Sequence, residues 1–135
     1  MRIIHLTSID SGGAGRACLR LHQALLDSGV DSIVLTGEKS CDIPNVRRVA
    51  QTKFQKFMQK VIRPHLSTLP LMLYPKRHKD IFSPNLPFFT PRNRALVDMV
   101  NALKPDIVHL HWIQNGFINT KDLESIKAPM IWSLH

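Results

Sequence analysis

The stretch SIDSGGAGRACLRLHQALLDSG, residues 8 to 29, places three glycines within four positions, and a helical pattern follows at once. A helix N-terminus offers unpaired backbone N–H groups and roughly half a positive charge, and glycine lets an anion come close to that backbone. Gly12, Gly13 and Gly15 are therefore candidate phosphate contacts, with Arg16 in the first turn placed to assist. A second reading needs no ligand: a tight strand-to-helix turn calls for glycine by itself, and Arg16 is then a solvated residue on the polar face. Against the dinucleotide pattern G-x-G-x-x-G, Gly13 and Gly15 fit, Cys18 stands in place of the third glycine, and Glu38 sits near the position of a ribose-binding acid. The Gly-Lys-Ser/Thr ending of a P-loop is missing.

Histidines supply the second set of candidates. His109 and His111 lie two apart on an expected strand and so point to the same side. A metal site can be built on such a pair, but no Cys, Asp or third His lies at ligand spacing, so paired polar contacts are expected and no metal. His5, inside the first expected strand, reads as a core histidine with satisfied hydrogen bonds. Cys18 reads as packing, since a buried cysteine behaves as a small hydrophobe.

The elements that must position these residues alternate. RIIHLTS (residues 2 to 8) is a short β-branched run ending at the glycines, as a strand buried in a parallel sheet would be. Ala14, Ala17, Cys18, Leu21, Ala24 and Leu25 form the apolar face of the helix that follows, and Gly29 stands where a left-handed cap is expected. DSIVLTG (31 to 37) completes a βαβ unit, and NVRRVA (45 to 50) reads as a third short strand. KFQKFMQKVIR reads as a basic amphipathic helix, with Phe54, Phe57, Met58 and Val61 opposite Lys53, Lys56, Lys60 and Arg63. Six prolines between positions 64 and 91 argue against regular structure through most of that span. LPLMLY and IFSPNLPFF are too apolar for a disordered linker, so a long ordered excursion over about 53 to 91 is expected.

Thr90 and Pro91 look like the N-cap and first residue of a helix striped by Leu96, Val97, Val100 and Leu103. DIVHLHW is then a strand, Asn119 and Asp122 cap a short helix, and PMIWSLH is a last strand. The sum is an α/β, Rossmann-like fold: an open, mostly parallel sheet of about five strands, order 3-2-1-4-5, with helices on both faces.

Bulk properties bound the function. A chain of 135 residues with 44% apolar content suits one domain. Two cysteines form no framework, no signal peptide is evident at the start, and no apolar run reaches the roughly 20 residues of a membrane helix. A cytoplasmic location with free thiols is expected. Lys and Arg outnumber Asp and Glu 18 to 10, with most of the excess between positions 47 and 94, which points to an anionic partner.

The glycine segment, KPDIVHLHWIQNGFIN and APMIWSLH, in that order, resemble the N-terminal domain of GT-B glycosyltransferases of the retaining family 4 type. The likeness covers residues 1 to 50 and 93 to 135. In such enzymes two Rossmann-like domains face each other, the N-terminal one taking the acceptor and the C-terminal one gripping the sugar nucleotide. The resemblance implies transfer of a sugar from a nucleotide-sugar donor to a saccharide or lipid-linked acceptor in bacterial cell-surface polysaccharide synthesis, with no further cofactor. It implies that Gly12, Gly13 and Gly15 face the donor phosphates, that His111 and Trp112 frame the cleft floor, and that Asn115 and Gly116 lie in the next loop. It gives His135, at the end of SLH, a catalytic place beside the acceptor and reacting sugar.

The family's C-terminal E-x7-E carboxylates have no counterpart here, so residues 1 to 135 are expected to be the acceptor-side domain of a longer enzyme and inactive alone. A peripheral position at the inner face of the plasma membrane fits both the basic helix and a lipid-linked acceptor. Two alternatives stand beside this reading. One is a module binding an anionic surface or nucleic acid through the basic middle. The nucleic-acid form is disfavoured because Phe54 and Phe57 fall opposite the lysines. The other is a nicotinamide-dependent oxidoreductase domain.

Overall fold

In the computed structural model, residues 1–50, 52–73, 76 and 90–134 are described, apart from the Met72 side chain. Five strands form one sheet in the order β3-β2-β1-β4-β5, and every neighbouring pair is parallel. They are β1 (Arg2–Ile9), β2 (Asp31–Glu38), β3 (Val46–Arg48), β4 (Ile107–Leu110) and β5 (Met130–Trp132). β1 is central, and six of its eight residues are buried, which is why it reads as a continuous apolar run instead of an alternation.

Successive side chains leave the sheet on opposite faces, and each face has its own core. On one, Val34 and Val46 pack against Cys18 of α1 (Gly12–Asp27). On the other, Ile4, Leu6, Ile33, Leu35, Val108 and Leu110 pack against Leu96 and Val100 of α4 (Arg94–Ala102). Helices therefore cover both faces, as the periodicities predict.

Three details differ from the sequence reading. The buried residues of α1 are Gly15, Cys18 and His22, while Leu21 is exposed, so the helix is rotated from its expected apolar face. The cause is local: Gly15 abuts the chain leaving β1, and His22 bonds Ser32 Oγ and the Pro44 carbonyl with its two ring nitrogens. Next, α4 begins at Arg94, not beside Pro91. Asn93 caps it by accepting from the Leu96 amide, and the Pro91 and Arg92 carbonyls are drawn away by the Arg63 guanidinium.

The third difference is in the middle. Helical structure runs without a break through α2 (Lys53–Phe57), a π-helical turn (Met58–Ile62), α3 (Arg63–Thr68) and a 3-10 segment (Leu69–Leu73). Pro64 is tolerated because it falls in the first turn of α3, after the wider π turn, where its missing N–H matters least. Residues 74, 75 and 77–89 of the expected excursion lie outside the described residues. The short α5 (Thr120–Leu123) has the expected capping box of Asn119 and Asp122. No helix among the described residues is long and apolar enough to cross a membrane.

Candidate functional site

Strand order reverses between β1 and β4, because β1 leads to β2 on one side and the chain returns to β4 on the other. In an open parallel sheet such a reversal opens a crevice at the carboxyl ends of the strands. A cavity of about 420 Å³ lies there, lined by Ile9, Ser11, Gly12, Gly13, Ala14 and Trp112. Its floor is the N-terminus of α1. Ser11 is the N-cap but makes no capping side-chain hydrogen bond, and the first turn has no acidic residue. The 16-residue helix thus begins with neither a side-chain cap nor an acidic group at its positive end.

The three glycines divide the work. Gly12 holds φ at +73°, a left-handed conformation that lets the chain turn into the helix. Gly13 would meet nothing within 4 Å if it carried a Cβ, so the space above it is open. Gly15 is buried, and a Cβ there would stand 2.6 Å from the Asp10 carbonyl carbon and 2.8 Å from the Ile9 oxygen. Its bareness serves packing of helix on loop, and it does not line the cavity.

Asp10, just before this loop, was not singled out by sequence reasoning. Its buried carboxylate accepts from the Ser40 amide (2.6 Å), the Ser40 hydroxyl (2.7 Å) and the Cys41 amide (2.8 Å), tying the glycine turn to the segment after β2. Burial alone would raise its pKa, but these bonds outweigh burial and hold the carboxyl below its ordinary value. The signal available in the sequence was an acid at a strand end immediately before the glycines.

The other expected site residues separate. Arg16 is exposed and is not among the residues lining the cavity. Trp112 lines it, while its carbonyl accepts from the Ser8 amide and hydroxyl. Asn115 and Glu38 belong to a different cavity of about 310 Å³, shared with Gln59 and Lys60. Gly116, at φ +68°, packs against the backbone of Arg63, where a Cβ would lie 2.6 Å from the Arg63 oxygen, so its role is structural. His135 lies outside the described residues.

No protein-family model, curated protein or solved structure was found to match the chain. The site's own geometry carries the functional reading.

His111 turns inward and joins a cluster. β1 and β4 pair with His5 opposite His109, so His5, His109 and His111 share one face of the sheet. The ring centroids of His109 and His111 are 4.2 Å apart, those of His5 and His111 5.4 Å. His5 and His111 face each other through Nδ1 and Nε2 at 3.2 Å. His5 is fully buried, but the expectation of a satisfied core histidine does not hold: its Nε2 finds no hydrogen-bond partner among the described residues. The third imidazole, absent from the sequence spacing, is supplied by the strand register, and the three residues together form a group able to hold a metal ion.

Burial, then the neighbouring His111, His109 and His22, lower the His5 pKa from 6.5 to about 3. Below 6.5 the unfolded chain takes up a proton that the folded chain refuses until about 3. This contribution to stability is therefore whole above pH 6.5 and shrinks as pH falls through that window. Between pH 7 and 5 the loss is about 2 kcal/mol. Urea unfolding in EDTA should show it as a falling midpoint, with a shallower pH slope in His5→Asn.

Cys18 is fully buried, as expected of packing, and burial, with Cys41 adding to it, pushes its thiol up to about 12. It is no nucleophile at neutral pH.

Proposed function

We propose that this domain is the acceptor-side half of a nucleotide-sugar-dependent glycosyltransferase. The observation that carries the reading is the cavity over the uncapped N-terminus of α1, walled by Gly12, Gly13 and Trp112 at the strand-order reversal. Amides at a positive helix end suit a phosphate, and Trp112 among the lining residues is of a type that suits a sugar or base. The ordered resemblance of the three segments adds the reaction class. Catalysis by His135, retention of configuration, a polysaccharide acceptor and the need for a second, donor-holding domain all rest on that resemblance. The nicotinamide alternative receives less support, since Glu38 lines another cavity than the glycine loop.

A single helix end contributes on the order of 1 kcal/mol toward an anion, so UDP- or GDP-sugars should bind residues 1 to 135 at millimolar Kd or weaker, without turnover. Amide NMR should show shifts at Gly12, Gly13 and Trp112 on adding the nucleotide sugar. Gly13→Val should abolish them while leaving the thermal midpoint nearly unchanged, because the new side chain points into open space. Shifts confined to the Glu38 cavity, or selective response to NAD(H), would reverse the assignment.

The expected attachment to an anionic membrane has a specific observation in its favour. Phe54 and Phe57 are 71% and 54% exposed, and Val61, Leu66, Leu69 and Leu73 are exposed along the same helical run. Lys53, Lys56 and Lys60 are exposed as well. Arg63, expected as the fourth outward basic residue, is instead buried, drawn in by backbone carbonyls. Three lysines alone would supply roughly 1 kcal/mol each at most, so insertion of the phenylalanines has to carry the binding. Co-sedimentation should be stronger with phosphatidylserine vesicles than with neutral ones, and Phe54→Ser with Phe57→Ser should weaken it about 100-fold. Equal pelleting with both vesicle types at low salt would count against this attachment.

A further inference from the structure

We infer that His5, His109 and His111 form a binding site for one borderline transition-metal dication, with Zn²⁺ the ion three imidazoles suit best. The sheet itself builds the site: two adjacent parallel strands, in the register His5 opposite His109, project three imidazoles from one face. One ligand nitrogen from each residue lies within 4.8 Å of the others. The His5 Nδ1 to His111 Nε2 distance is 3.2 Å. Tetrahedral Zn²⁺ with Zn–N bonds of about 2.0–2.1 Å holds its nitrogens about 3.3 Å apart, so this pair is already at bridging distance. His109, the least buried of the three, has its ring centroid 4.2 Å from that of His111 and 5.3 Å from that of His5.

The donor set decides the class of ion. It is all nitrogen, with no carboxylate in the group, so the hard oxygen-seeking cations Ca²⁺ and Mg²⁺ are poor occupants. Imidazole suits Zn²⁺, Cu²⁺ and Ni²⁺. A hydrogen bond of 2.8 Å between His109 Nε2 and Ser133 Oγ supplies the outer contact that orients a ligand ring. His5 turns Nδ1 toward His111, so Nδ1 is the nitrogen the ion would take, and the other ring nitrogen, Nε2, stays outside the site. A buried imidazole held by one contact to another imidazole is poorly compensated, and an ion shared by the three rings is a physical account of why they converge. Three protein ligands leave a tetrahedral ion one position for water or an anion. The ion would pin β1 to β4 just below the strand-order reversal, one residue from Trp112.

The test is titration of the reduced, metal-stripped chain with CoCl₂ and with ZnCl₂. One equivalent of Co²⁺ should give the visible bands of a tetrahedral nitrogen-ligated ion, without the near-ultraviolet sulfur band that binding at Cys41 would produce. One equivalent of Zn²⁺ should raise the thermal midpoint. His109→Ala, which removes the least buried ligand, should weaken both by at least about 100-fold, the upper end of what losing a mere orienting partner costs. His65→Gln, on the exposed face of α3, should leave both unchanged. Should His109→Ala fail to fold, imidazole ¹⁵N resonances of the wild-type chain give the same answer: those of His5, His109 and His111 should move together with one equivalent of ZnCl₂. A sulfur band, equal binding by His109→Ala, movement of other histidines instead, or no binding at excess metal would overturn the site.

Discussion

Arg63→Met should cost about 4 kcal/mol, because the guanidinium it removes is the hub of a buried contact between the middle helices and the loop after β4. Its Nε donates to the Gly116 carbonyl at 2.5 Å, and its terminal nitrogens donate to the carbonyls of Pro91 at 2.6 Å and Arg92 at 3.2 Å. Methionine fills similar volume but removes these donors, and losing the donor to a buried carbonyl costs roughly 1–3 kcal/mol. Lysine is no substitute, since a point charge with three donors cannot span a planar fork. Burial lowers the Arg63 pKa against an opposing pull from Asp122, yet an arginine stays charged at any pH the fold survives. Urea denaturation should record the loss. Hydrogen exchange should show it first in residues 53–73 and 90–93, the segments that Arg63 joins to the sheet. A change under about 1 kcal/mol would mean that water takes the place of the guanidinium and that the helical middle is docked by other contacts.

Gly15→Ala should destabilise by about 3 kcal/mol, while Gly13→Ala, two residues earlier, should do the opposite. At Gly15 a methyl group would stand 2.6–2.9 Å from three backbone atoms of Ile9 and Asp10. Backbone cannot swing aside as a side chain can, and Asp10 is itself held by three hydrogen bonds from Ser40 and Cys41. The helix must therefore move off the sheet, at an overpacking cost in the upper part of the usual 1–3 kcal/mol range or beyond it. A chain of this size should lose about 10 °C in thermal midpoint. At Gly13 a Cβ meets nothing within 4 Å, and removing glycine's freedom from the unfolded chain should add roughly 0.5 kcal/mol. Thermal unfolding of the two variants side by side checks the division: equal shifts of the same sign would mean that the glycines are interchangeable.

The pair also separates stability from ligand contact. Gly13 lines the 420 Å³ cavity and Gly15 does not. Gly13→Val should therefore lose the proposed ligand contact while keeping its stability, whereas Gly15→Ala should show its effect first in the thermal midpoint.

Much of the architecture was legible because it is written in short-range patterns. The switch between continuous apolar runs and a 3.6-residue period marks β1, α1 and β2, and Gly29 does close its helix at φ +75°. Asn119 followed three residues later by Asp122 marks α5, because a capping box is satisfied within a single turn. The order 3-2-1-4-5 was expected with strand one central, because its flanking loops carry the glycine motif, and the sheet has that order. Gly12 and Gly13 were singled out by the motif and Trp112 by the resemblance, and the fold brings the three to one cavity.

The sequence by itself thus determined the five strands, most of the helices and where the glycine turn falls, since backbone geometry sets those patterns over a few neighbouring residues. Tertiary structure alone decided what each chemical group meets. Arg63 looked like one basic residue among several until Gly116, 53 positions away, took its guanidinium. His5 looked like an ordinary core residue until strand register set it against His111, 106 positions away. Gly116 and Asn115 were read together as loop contacts, but one is pressed on the Arg63 backbone and the other opens into a second cavity. The physical reason is the same in each case: burial and hydrogen-bond partners arise where distant segments meet, and no local period encodes which segments those are.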